Sequence, residues 1–420
     1  MKKITFVLAI ILSAVPFVCS AQELSLTLDD AVSLALRDNR NVMLKAEEAK
    51  KAKAAILEAR ASLFPALNVS GGWSDTRGLY SKDVSAFAGQ AQVKQTLYAG
   101  GKIINAIKAG EYAYTASEAA LDKAKQDLVL SVKQAFYALM LGNELVSLNK
   151  GILDNTKEHI DAARARYKAG QASESDILRI ESSLSGVTRA YTAAQSQAEA
   201  AAAMLRNLLY LDNEIKITPA AKFIYEPREL AYDTAFLKAM ESRPEIRQIE
   251  AQRSAALKNM EAAKAGTRPT IYASWDYYAR STALSGTAKN PNDYNIIGIT
   301  VSWPVFDGWL TRAKIEKAVI DLKEAEILRE KAGKDIALDV KTAYLDLKDS
   351  IAKMKSAADE AAVYKDASEV VRKKFESGIA SLLDLRDALL SYSVSLFNQS
   401  QAIYDYKIAQ ARFDHATGGI

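Results

Sequence analysis

From Val132 onward an apolar side chain returns at every seventh position: Leu139, Val146, Leu153, Ile160 and Tyr167. Beyond a polar, glycine-containing break two more rows run side by side. One is Ile177, Leu184, Tyr191, Ala198 and Leu205; the other is Ile180, Val187, Ala194, Ala201 and Leu208. A strict seven-residue period marks helices coiled along one another, and abundant alanine lets them approach closely. The spacing predicts a helix from about residue 98 to 167, roughly 100 Å long at 1.5 Å per residue. A second long helix runs back beside it.

Other segments carry a period of two. From Pro65, Leu67, Val69, Gly71 and Trp73 alternate with Asn68, Ser70, Gly72 and Ser74. Between Asn295 and Pro304, Ile297, Ile299, Val301 and Trp303 alternate with Ile296, Gly298, Thr300 and Ser302. Alternating segments of about ten residues with aromatic ends suit membrane strands, lipid on one face and water on the other. They suit an ordinary half-buried sheet equally well. Two such strand pairs cannot close a barrel, and lipid does not tolerate open sheet edges. If the strands span a membrane, several chains share one barrel, and three chains supply twelve strands and twelve helical segments.

The chain is duplicated, which is the first thing to seek in a long helical sequence. Ala31, Ala35, Asn39 and Pro65 recur 204 positions on as Ala235, Ala239, Arg243 and Pro269. Past the next loops the offset is 208: Gly100 matches Gly308, and VKQAFYAL at 132–139 matches VKTAYLDL at 340–347. The first repeat covers residues 22–211, a connection 212–229, and the second repeat 230–420. Each reads as a helix of about 35 residues, a proline, two strands, and a long helix that turns into another.

The turns share one pattern, Gly170, Ser173 and Asp176 in the first copy and Gly378, Ser381 and Asp384 in the second. A glycine takes the left-handed conformation that ends a helix. A serine three residues on caps the next helix, and an acid three residues later completes a capping box at the positive end of its dipole. Asp384 is therefore a cap, whatever else it does. Asp387 lies one turn further in, where capping gives it little to do.

The start of the chain is read differently. Lys2 and Lys3 precede an apolar run from Ile4 to Phe17, and Cys19, Ser20 and Ala21 supply small side chains for cleavage. Residues 1–21 are predicted to be a secretory signal peptide. The alternative reading of Cys19 as a lipidation site is opposed by Val18, where a small residue is expected. No later segment reaches the length of a membrane helix. Without Lys2 and Lys3 the chain carries 53 basic against 51 acidic side chains, which gives no argument for nucleic acid. His159 and His415, the only histidines, lie in helical text without neighbouring ligands at metal spacing, so both are expected on helix surfaces. No phosphate loop or nucleophile elbow is present. No enzyme, cofactor or metal is expected. The rival classes are a periplasmic adaptor and a structural coiled-coil envelope protein. An adaptor normally carries one helical hairpin between β-rich halves, whereas two hairpins and two strand pairs stand here in tandem.

The opening SLTLDDAVSLALRDNR, its second copy with SRPEI at 242–246 and the paired G-x-x-S-x-x-D turns resemble the TolC-type outer membrane efflux family, from about Leu24 to Gly418. The resemblance implies a mixed, mainly α fold. Long antiparallel coiled-coil helices form a trimeric α-barrel in the periplasm, joined to a shared 12-stranded transmembrane β-barrel with four strands per chain. It implies a homotrimer in outer membrane lipid, a passive exit duct joined to a periplasmic adaptor and an inner-membrane transporter. Segment 212–229 then lies in an equatorial region. By position, Gly170, Ser173, Gly378 and Ser381 belong to the periplasmic tip where adaptors dock. Asp384 and Asp387, with Asp176 and Arg179 of the first copy, belong to the periplasmic constriction. Phe375 and Ala380 stand where some relatives carry hydrogen-bonding latch residues.

Overall fold

A computed structural model describes residues 23–79, 82–168, 173–221, 223–226, 231–284, 287–288 and 292–419. The predicted signal peptide, Cys19 and Gly170 lie outside them. The elements in chain order are β1 (Glu23–Leu26), α1 (Leu28–Asp38), α2 (Arg40–Ala61), β2 (Ala66–Leu79), β3 (Lys82–Tyr98), α3 (Lys102–Lys168), α4 (Glu174–Leu209) and β4 (Lys216–Pro219). There follow α5 (Tyr232–Ser242), α6 (Pro244–Lys264), β5 (Thr270–Leu284), β6 (Thr287–Ala288), β7 (Asn292–Ser302), α7 (Leu310–Glu376) and α8 (Leu382–Ala416). The second half repeats the order of the first from its first helix pair on. The chain divides into two compact units, one of residues up to Ala35 with Ala135–Ile224, the other of Leu36–Gln134 with Tyr225 to the end.

The first unit is held by the predicted heptads. Leu139, Leu153 and Ile160 of α3 and Ala194, Ala198 and Leu205 of α4 are buried. Where the two helices pass closest, a Cβ built on Gly142 would stand 2.8 Å from the Ala198 Cα. A parallel pairing of β1 with β4, Glu23 opposite Lys216 through Leu26 opposite Pro219, buries Leu26 and Ile217. That pairing has no counterpart in the sequence pattern, since four residues are too few to show a period. Entry into α1 is a reciprocal cap: the Asp30 N–H donates to Thr27 Oγ1 and the Thr27 N–H to Asp30 Oδ2, each at 3.2 Å.

In the second unit α7 shows a heptad the sequence reading had traced only in the first repeat. Ile336, Val340, Ala343, Leu347, Ser350, Met354, Ala357 and Ala361 alternate steps of four and three, all buried. From α8, Tyr406, Ala409, Phe413 and Ala416 meet this row in one core cluster. Tyr406 donates its hydroxyl proton to the Glu226 carbonyl at 2.6 Å, which settles its only polar atom.

The helix of about 35 residues expected before each proline is two helices, a correction to the sequence reading. In the first repeat Asn39 leaves helical geometry (φ −69, ψ 122) and its side chain accepts from the N–H groups of Asn41 and Val42. In the second, Arg243 does the same (φ −69, ψ 126) because Pro244 disfavours helical backbone in the residue before it. Both breaks occupy the same place in the repeat, and their residues are both buried. The strands also run longer than the ten residues the alternation predicts, to 14 in β2, 17 in β3 and 15 in β5. Polar text continues the ladders beyond the apolar stretch.

Gly100 and Gly308, matched at offset 208, are both left-handed, φ 63 and 66. Each turns a strand into a long helix. The residues after them differ, however: Gly101 (φ 91) in the first repeat and Trp309 (φ 68) in the second. A left-handed residue with a side chain costs about 1–2 kcal/mol.

Candidate functional site

The second hairpin turn is built by local hydrogen bonds. At the end of α7, Gly378 (φ 76) donates to the Phe375 carbonyl at 3.0 Å and Ile379 to the Lys374 carbonyl at 2.8 Å. That double bond pattern closes a helix around a left-handed residue. Ser381 then opens α8. Its hydroxyl accepts from the Asp384 N–H at 3.2 Å, and its own N–H donates to Asp384 Oδ2 at 2.9 Å. Glycine, serine and acid thus do what their spacing predicted. The Ser381 hydroxyl, helped by its N–H, holds the Asp384 carboxyl below the usual carboxylate range.

Nothing lies within 4 Å of a Cβ added at Gly378, so only backbone strain opposes a side chain there. Gly378→Val should lower stability by about 1–2 kcal/mol while leaving assembly intact. Gly378→Asn should cost less, because asparagine visits this conformation more readily. Thermal melts of both variants in detergent test the difference.

Asp387 lies one helical turn on, its side chain 58% exposed, and its Oδ1 accepts from Arg386 Nη2 at 3.1 Å. The sequence reading did not name this adjacent arginine as a partner of the carboxylate. Consecutive helix residues do not face one another, but the long guanidinium folds back. In the first hairpin, Ser173 is exposed just ahead of α4, and Asp176 and Arg179 fall in that helix's first turns. The side chains of Asp176 and Arg179, like Gly170, are outside the described residues.

The second feature is the sheet. Its strands run β2-β3-β5-β7, all antiparallel, with β6 a short extra pairing on β5. β3 pairs with β5, so the two repeats join in one sheet. Register places Leu67, Val93, Trp275 and Ile297 in one lateral row, and Asn68, Gln92, Asp276 and Ile296 in the next. Successive residues point to opposite faces, so one face is apolar and the other mostly polar. On the polar face Asp276 is buried and accepts from Gln92 Nε2 at 2.6 Å and Gln90 Nε2 at 3.2 Å. On the apolar face Val69, Ile297 and Ile299 are 76%, 83% and 71% exposed. Among the described residues nothing covers them. Among the described residues no helix is long and apolar enough to cross a membrane.

A charge chain that sequence reasoning missed ties the second unit together. Asp339, Arg243, Glu245, Lys123 and Asp127 alternate in sign, with Arg243 donating to Asp339 at 3.2 Å and to Glu245 at 3.0 Å. Lys123 reaches Glu245 at 3.7 Å and Asp127 at 2.7 Å, and His415 Nε2 meets Asp127 Oδ1 at 2.8 Å. His415 is thus a half-buried tie and not the helix-surface residue expected; the His159 side chain lies outside the described residues. Burial pushes the Asp127 and Glu245 carboxyls up. Hydrogen bonds from Lys123 and His415 to Asp127, and from Arg243 to Glu245, outweigh it and hold both below their ordinary values. Their stabilisation is therefore present above the ordinary carboxylate range and is lost as pH falls through the lowered values.

To the capped hairpin turn and the sheet with its exposed apolar face the sequence adds a family match over both halves of the chain. The profile of the outer membrane efflux proteins fits residues 31–209 and 237–419. The chain belongs to the outer membrane efflux protein family. This efflux protein is accordingly an outer-membrane channel protein. It is 24% identical to outer membrane efflux protein BepC of Brucella suis over 78% of its own length and 71% of the relative's. It is 20% identical to outer membrane protein TolC of Salmonella enteritidis over 86% and 76%. Its fold superimposes on the crystal structure of a membrane protein from Pseudomonas aeruginosa with a TM-score of 0.82 at 22% identity, covering 93% of this chain and 92% of that one.

Proposed function

We propose that three copies of this efflux protein close one twelve-stranded barrel and form a passive exit duct. One observation carries the reading: β2 and β7 end the four-stranded ladder, and beside them runs an apolar face exposed to more than two-thirds at its centre. Lipid accepts such a face but not the unpaired edges. Edge-to-edge pairing of β2 with the β7 of another copy removes both edges, and three copies supply twelve strands. The polar face, with Asp276 and its glutamines, then lines the water-filled interior.

The tandem repeats 22–211 and 230–420, with the connection 212–229, give six related helical hairpins per trimer. Their turns at Gly170, Ser173, Gly378 and Ser381 form the periplasmic tip that docks an adaptor protein, itself joined to an inner-membrane transporter that supplies the energy. Cysteine pairs placed along 66–72 of β2 and 296–302 of β7 test the assembly. Oxidation should yield covalent dimers and trimers in outer-membrane fractions. Monomers at every register would overturn the shared barrel.

At that tip Asp384 and Asp387 form the constriction with Asp176 and Arg179. Threefold repetition brings like carboxylates around one axis, where they repel one another and attract cations. Asp387→Asn should leave folding almost unchanged, lower cation selectivity and weaken block by multivalent cations in single-channel recordings. Arg386→Gln should raise both, because it frees the carboxylate that Arg386 now holds. Unaltered selectivity and block in Asp384→Asn, Asp387→Asn would leave these groups only a capping role.

A further inference from the structure

Among the described residues Asp276 is the only acid on the polar face of the sheet, the face of the even-numbered positions, and no cation is paired with it. Asp276 is 7% exposed, and the amide bonds from Gln90 and Gln92 both end on its Oδ1. Its Oδ2 accepts from none of the described residues and still reaches the surface of that face. A carboxylate so enclosed costs folding free energy while its charge is unmatched. The next row of the same face sets a platform beside it: register aligns Gln90, Tyr278 and Tyr294 next to Gln92, Asp276 and Ile296. The Tyr278 and Tyr294 rings stack with centroids 5.1 Å apart at 21°, and Gln90 Nε2 donates to the Tyr278 hydroxyl at 3.1 Å. Tyr294 and Ile296 are both at least half exposed, so an aromatic face and an aliphatic chain stand open beside the acid.

A third tyrosine of this face shows what such a ring takes. Lys94 Nζ lies 3.9 Å from the centre of the Tyr272 ring, where the ring quadrupole attracts a cation. Tyr272 thus receives its cation from the chain itself, whereas Asp276 and the tyrosine pair receive none. We infer that Asp276, Tyr278, Tyr294 and Ile296 form a binding site for an organic cation, an ammonium group joined to an aromatic body. The ammonium donates to Asp276 Oδ2 and supplies the missing charge, while the aromatic body lies on the open face of Tyr294 against Ile296. Every side chain of the site comes from one copy, β5 and β7 giving the contacts and β3 the glutamines that hold the acid, so three copies carry three sites. Access from water rests on the reading of this face as the lining of the duct. Arg280, exposed two residues beyond Tyr278 on the same face, opposes an incoming cation, though water screens it more than it screens the enclosed carboxylate.

The test is binding of benzylamine, protonated at neutral pH, to the full-length channel in detergent, followed by saturation-transfer NMR with benzyl alcohol as the uncharged counterpart. Saturable binding of benzylamine is expected, with benzyl alcohol about tenfold weaker, the factor that one charge-assisted hydrogen bond carries. Asp276→Asn should lose the same factor and with it the preference for the amine, because asparagine keeps the shape without the charge. Tyr294→Leu should weaken benzylamine by about threefold, and Arg280→Gln should tighten it. Absence of saturable binding, or equal binding by the wild type and Asp276→Asn, overturns the site. Should Asp276→Asn not assemble, Tyr294→Leu and Arg280→Gln read the same site at exposed positions, and an affinity that neither changes overturns it. Water access is read separately. Cys19 is the only cysteine of the chain, so Ser274→Cys, the next position along this face from Asp276, reports on the face alone. In reconstituted vesicles a membrane-impermeant methanethiosulfonate should modify Ser274→Cys, and benzylamine should slow the reaction. Modification that benzylamine leaves unchanged overturns the site and keeps the water-filled duct. No modification at all overturns the lining of the duct by this face.

Discussion

Ile299→Arg is expected to abolish stable insertion of the channel into the outer membrane. Ile299 sits mid-row on the apolar face of β7, opposite Ala273 of β5 and 71% exposed. It is four residues from Trp303, about 13 Å along a strand at 3.3 Å per residue. In an apolar band about 25 Å tall with aromatic borders, that places it near the midplane, where an arginine costs about 2–4 kcal/mol. A trimer carries that cost three times, which exceeds what an assembled barrel tolerates. Thr300→Arg, one residue on and facing the other way, should be accepted, since that face meets water. Heat-stable trimers in outer-membrane fractions distinguish the two: bands for Thr300→Arg and none for Ile299→Arg. Equal tolerance of both would mean that the sheet is wet on both faces and spans nothing.

Gly142→Val should destabilise the α3–α4 hairpin by about 3 kcal/mol, the upper end for overpacking. A Cβ at Gly142 meets the Ala198 Cα at 2.8 Å, its Cβ at 3.1 Å and its N at 3.4 Å. These are backbone atoms or atoms fixed to the backbone, so relief requires the helices to part and to loosen the heptad row on either side. Gly142→Ala should already be harmful for the same reason. Gly151→Ala provides the contrast. Gly151 lies in the same helix with nothing within 4 Å of the added Cβ, so the change should stabilise by about 0.5–1 kcal/mol through helix propensity. Thermal unfolding of the three variants checks the order. Equal stability of Gly142→Val and wild type would show that α3 and α4 separate freely at this point.

The sequence by itself determined what is periodic or local. Seven-residue spacing fixes which sides of α3, α4, α7 and α8 are buried, because a helix face repeats with the helix whatever it packs against. The turn at Gly378, Ser381 and Asp384 is complete within eleven residues, Lys374 to Asp384, and every bond in it joins near neighbours. Alternation along Ile297, Ile299 and Val301 separated the two faces of the sheet before any pairing was known. Even the breaks at Asn39 and Arg243 had a local signal, a capping residue in one case and a following proline in the other. They were missed because the apolar pattern continues across them.

The tertiary structure alone decided what joins distant parts of the chain. β1 meets β4 across almost two hundred residues through four-residue strands that leave no pattern. β3 and β5 unite the two repeats in one sheet, although each repeat alone reads as a separate strand pair. Asp127 meets His415 across 288 positions, and Arg243 meets Asp339 across 96. A lone charged residue on a helix is indistinguishable from a solvated one until its partner is placed, so the chain of charges was illegible. Gly142 looked like any helical glycine until Ala198 was set against it. Trp309 looked like an ordinary aromatic until its φ of 68 placed it where the first repeat uses glycine. Side-chain periods are written along one stretch of chain, but close approach, charge pairing and backbone strain depend on where two stretches meet.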